Sequence, residues 1–77
     1  MGEGLSIRLE VYLPFRGHAP WRGSELVPPG TTAGDLPELL GLTEPELAVL
    51  VNGRRCPPER PLRPDDAVAV LRPMCGG

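Results

Sequence analysis

The chain has 77 residues, room for one small domain and not for two. Its net charge is −2 and its eight basic residues are all arginine, scattered along the chain, so no basic stripe tracks a phosphate backbone and no lysine is available for Schiff-base or phosphate-loop chemistry. No apolar run approaches the roughly 20 residues of a membrane span, and Met1 to Gly4 has no signal-like pattern, so a cytoplasmic protein without nucleic-acid or membrane partners is expected.

From Leu5 to Leu13 the residues Leu5, Ile7, Leu9, Val11 and Leu13 alternate with Ser6, Arg8, Glu10 and Tyr12, the period of a strand with one buried face. Pro14, Gly17 and Pro20 break that period, and the segment to Arg22 reads as a loop carrying Phe15, His18 and Trp21. Its aromatic residues suit either a partner contact or packing against the sheet. His18 is the single histidine and has no companion at metal spacing, so no metal site is expected. A second strand, about 23–27, runs into Pro28-Pro29-Gly30.

Thr32 and Asp35 have the spacing of a capping box, followed by Leu36, Leu39, Leu40 and a closing Gly41. A short helix to about Leu40 is expected, its true cap shifted toward Gly34 or Asp35 because Pro37 fits only the first turn. Thr43-Glu44-Pro45-Glu46 suggests one further helical turn, with its acids as caps. Leu47 to Val51 is an apolar strand, and Asn52-Gly53 is the residue pair that a type I′ hairpin turn demands, with a return strand over Arg54 to Cys56. The turn-rich run Pro61 to Asp66 leads to a last, wholly apolar strand from Ala67 to Leu71. Cys56 and Cys75 are too few for a thiolate zinc site and are expected as free thiols, Cys56 as filler beside the sheet.

This order predicts an α+β fold in which a mixed sheet of four to five strands is crossed on one face by one short helix. The two most apolar strands, the first and the last, are expected side by side and parallel at its centre.

The same residues resemble the ubiquitin-like sulfur carrier family, which includes the small subunit of molybdopterin synthase and the thiamin-biosynthesis sulfur carrier. The resemblance rests on the order of elements, on Val51-Asn52-Gly53, on the late turn Leu62 to Val68, and on Gly76-Gly77 reached from Pro73. It implies the β-grasp fold, with a domain over 1–71 and a flexible tail over 72–77. It also implies a carrier, or the small non-catalytic subunit of a sulfurtransferase complex, in place of a free-standing enzyme. No cofactor would be held permanently. An activating enzyme would use ATP to adenylate Gly77, a sulfur donor would make the thiocarboxylate, and a large synthase subunit or a thiazole synthase would take the sulfur.

By position, Gly77 bears the reacting carboxyl, while Gly76, Cys75, Met74, Pro73 and Arg72 would contact partners. Paired glycines let a chain end pass a narrow channel, since neither has a Cβ. The family pattern is departed from where Asp65 precedes Asp66 in place of a glycine, and where Cys75 stands before the two glycines. Length added by the loop after the first strand ranks molybdopterin synthesis ahead of thiamin synthesis. A modifier conjugated to lysines, or a β-grasp interaction module, would share the same body.

Overall fold

In the computed structural model, which describes residues 4–73, strand β1 (Leu5–Val11) is followed by β2 (Trp21–Val27), helix α1 (Leu36–Leu39), β3 (Ala48–Val51), β4 (Arg54–Arg55) and β5 (Ala67–Leu71). The strands form one five-stranded sheet in the order β2-β1-β5-β3-β4. Strand β5 runs parallel to β1, with Leu9 opposite Val68 and Val11 opposite Val70. It runs antiparallel to β3, with Val51 also opposite Val68. The expected parallel centre is therefore present, and the topology is the β-grasp.

Alternation along β1 and β5 decides the burial. Ile7, Leu9, Val11, Val68 and Val70 turn to one face, where none is more than 2% exposed, and Leu36 of α1 closes over them fully buried. Leu13, Phe15, Val27, Ala33, Val51 and Leu62 complete that core.

Several boundaries differ from expectation. β1 stops at Val11, where its ladders to Trp21 and Val70 run out, yet Leu13 keeps its inward phase and stays 4% exposed. Strand β2 begins at Trp21, so this residue belongs to the sheet and not to the loop. The helix is a single turn. Its Thr32–Asp35 box forms in the turn before the helix, with the Asp35 N–H donating to Thr32 Oγ1 at 3.2 Å, and the cap is Asp35, one of the two positions expected from Pro37. Ahead of the cap, Ala33 and Gly34 donate their N–H groups to the carbonyls of Arg60 and Pro58, which docks this turn on the 58–60 segment. The further turn expected at 43–46 is not helical: Glu46 lies at φ 63° in an irregular connection. The return strand ends at Arg55, just ahead of Cys56 and two prolines.

The 14–22 loop is folded onto the end of the core. Phe15 is 8% exposed and meets Trp21 edge-on at 5.4 Å between ring centroids. The Arg16 guanidinium lies 4.7 Å from the Phe15 ring centre and 5.0 Å from that of Trp21, and both of its terminal nitrogens donate to Glu25 at 3.1 Å. Packing, of the two readings open for these aromatics, is the one seen. Cys56 is a half-buried free thiol against the core.

Candidate functional site

The last strand sets the site's position. Val68 and Val70 point into the core, so Ala67, Ala69 and Leu71 must face the other side of the sheet. Among the described residues no helix lies on that face. One row crosses all five strands: Arg55, Leu50, Ala69, Glu10 and Arg22 stand in register. The small side chain of Ala69 leaves a trough in the middle of the row, part of a groove of about 480 Å³ flanked by Arg8, Tyr12 and Leu71. Its apolar floor is edged by charge, with Glu10 accepting a bond from the Tyr12 hydroxyl and pairing with Arg22 at 3.4 Å. A second depression of about 390 Å³, beside α1 at Pro28, Thr31, Glu38 and Leu39, shares no residue with it.

Arg72 and Pro73 follow directly from β5 at the end of this face, both exposed. The Arg72 Nε donates to Glu44 Oε1 at 3.0 Å and Oε2 at 2.9 Å, and Nη2 lies 2.8 Å from Oε2. Hydrogen bonding to the Glu44 carboxylate, with its negative charge, holds the guanidinium above its already high pKa. Glu44, expected only as a cap, is thus the partner of Arg72, a pairing across 28 positions of chain that no local pattern reports. Two signals were nonetheless present in the sequence: opposite charge, and a proline after each residue. Met74, Cys75, Gly76 and Gly77, and with them the expectation of a flexible tail end, lie outside the described residues.

A third cluster fixes where β5 begins. Asp66, 7% exposed, accepts bonds from the Arg63 N–H at 2.8 Å, Asn52 Nδ2 at 3.1 Å and Arg60 Nη1 at 3.2 Å. Burial pushes its carboxyl up, but these three donors together outweigh it and hold the group below the usual carboxylate range. The side-chain Oδ1 of Asn52 in turn accepts the Ala67 N–H at 3.0 Å, so the hairpin turn and the late acidic turn are locked together at the head of the strand. Asp65 takes the left-handed φ of 67° that glycine would otherwise supply. Among the described residues no group of His, Cys, Asp and Glu is arranged to hold a metal ion.

Residues 17–77 match the ThiS family. The whole chain is similar in structure to the HVO 2177 protein of Haloferax volcanii, with a TM-score of 0.70, 26% identity and 91% of that chain covered. It is similar also to a Caldiarchaeum subterraneum ubiquitin over 96% of this chain and 99% of that one, with a TM-score of 0.60, and at 16% identity this is a likeness of fold. Curated proteins offer no match. A family match over most of the chain, carried on a β-grasp whose last strand leads out beside an open sheet face, places this protein: it belongs to the ThiS family of ubiquitin-like sulfur carriers.

Proposed function

We propose that the chain carries sulfur as a thiocarboxylate on Gly77. The observation that supports this reading is the family match, which extends through Gly76-Gly77. A carboxylate is a poor electrophile until one oxygen becomes a leaving group. In this reading an oxygen of the Gly77 carboxylate attacks the α-phosphorus of ATP in the activating enzyme, pyrophosphate departs, and the acyl adenylate forms. Hydrosulfide then adds to the carbonyl carbon, the bond from that carbon to the AMP oxygen breaks with its electron pair going to AMP, and the thiocarboxylate remains. At about 3.3–3.6 Å per residue, the stretch 72–77 reaches roughly 20 Å, enough to enter a partner's active site while the body stays outside. The open face around Ala69, with Arg72 and Pro73 at its end, is the surface a partner would grip. Gly76 and the small Cys75 suit a narrow channel beyond it.

The destination is cofactor biosynthesis. The loop between β1 and β2 makes the chain long for the thiamin type, which ranks a molybdopterin synthase large subunit ahead of a thiazole synthase as the sulfur acceptor. The test is intact mass after incubation with activating enzyme, ATP and sulfide. A gain equal to the replacement of one oxygen by sulfur, lost when Gly77 is deleted, is the expected result. An unchanged mass overturns the carrier reading, and isopeptide conjugates to lysines in its place would identify a protein modifier.

A further inference from the structure

We propose that Glu44 and Arg72 form a strut that sets the direction in which the chain leaves the sheet, making Glu44 a positioning residue for delivery of Gly77; this rests on the carrier reading. The register of β5 against β3 ends with Leu71 opposite Ala48. Pro73 has no N–H, and among the described residues neither Arg72 nor Pro73 takes part in a backbone hydrogen bond to another element. Among the described residues past Leu71, the hydrogen bonds to the body are those of the Arg72 guanidinium. Its tie is a fork, with two nitrogens on one carboxylate at 2.8–3.0 Å, and a fork fixes orientation where a single contact would fix only distance.

Both ends of the strut are stiff. Glu44 precedes Pro45 and Arg72 precedes Pro73, and a following proline removes much of the backbone freedom of the residue before it. The Glu44 connection is also pinned on each side. The Leu42 N–H donates to the Pro37 carbonyl at 2.9 Å, and Leu42 and Leu47 pack against the core. An isolated pair of two exposed long side chains loses its Coulomb gain to the entropy of holding them. Here much of that entropy has already been removed by the sequence around each residue.

The experiment compares wild type, Glu44→Ala and Glu44→Gln in ATP–pyrophosphate exchange with the cognate activating enzyme, alongside backbone ¹⁵N relaxation of residues 71–73 in the free protein. Glu44→Ala keeps Arg72 available to any partner but removes both acceptors of the fork. It is expected to raise fast motion at residues 72 and 73, and to lower kcat for exchange about tenfold with the urea midpoint unchanged, because a misdirected chain end reaches the reacting geometry less often. Glu44→Gln, which keeps one acceptor oxygen, should lose less than Glu44→Ala in both readouts. Unchanged relaxation in Glu44→Ala, or an unchanged or improved rate in it, overturns the proposal. If wild type itself exchanges no pyrophosphate, the carrier reading fails, and the delivery role with it. The relaxation comparison alone then decides whether the strut exists.

Discussion

Asp66 shows how one side chain can join distant parts of a small fold. Its carboxylate is almost wholly buried and ties together Asn52, Arg60 and the Arg63 backbone, with no unsatisfied buried side-chain polar atom left among the described residues. Because its pKa in the folded chain lies below the unfolded value of about 3.9, the ionised form favours folding. That stabilisation is fully present above the unfolded value and is lost as pH falls through the folded one. Asp66→Asn is therefore expected to cost about 1–3 kcal/mol at neutral pH, as buried donors lose their charged acceptor. The gap from wild type should narrow toward pH 3. Urea midpoints at both pH values check this, and an equal gap at each would contradict it. The neighbouring Asp65 was legible in the sequence as a residue able to stand at positive φ, since that is a local property. Glu44 was not, since its role depends on a partner that only the fold brings near.

Among the elements, the β3–β4 hairpin is the one most completely written in its residues. Asn52 and Gly53 stand at φ 54° and 81°, as a type I′ turn requires, and nothing lies within 4 Å of where a Cβ on Gly53 would sit. A substitution there is thus strained by its backbone alone. Gly53→Ala should destabilise by about 1–2 kcal/mol, the cost of left-handed backbone for a residue with a Cβ. The urea midpoint should fall at constant slope, and an unaltered midpoint would mean that the turn can relax. The helix was legible only in part. Pro37 and Gly41 place its cap at Asp35 and its end at Leu40, whereas the bonds from the Ala33 and Gly34 N–H groups to Arg60 and Pro58 reach a segment that only the fold brings near. The 14–22 loop was legible only as a loop. Arg16 gains its place from Glu25 on the following strand, and Phe15 meets Trp21 at the start of that strand.

At the scale of the molecule, the two faces of the sheet have separate tasks. One is filled by the core. The other bears Ala69 at its centre with Leu50 and Glu10 beside it, and among the described residues no other element lies over it. A long charged side chain there can project outward without entering the core. Ala69→Arg is expected to leave the thermal midpoint within about a degree or two of wild type, as surface changes usually do. It should also lower the rate of adenylation by about tenfold or more through obstruction of the docking face. Normal adenylation with an intact fold would show that partners grip elsewhere.

The sequence by itself determined the strand content, the parallel pairing of first and last strands, the Asn-Gly hairpin and the family resemblance. Each rests on properties that act over a few residues: a period of two along β1, the wholly apolar β5, and the φ preferences of Asn52, Gly53 and Asp65. Only the tertiary structure decided which residues meet across the chain. Asp66 finds Asn52 and Arg60, Arg16 finds Glu25, and Arg72 finds Glu44, because side-chain pairing depends on where folding places charges and no short-range pattern encodes that distance.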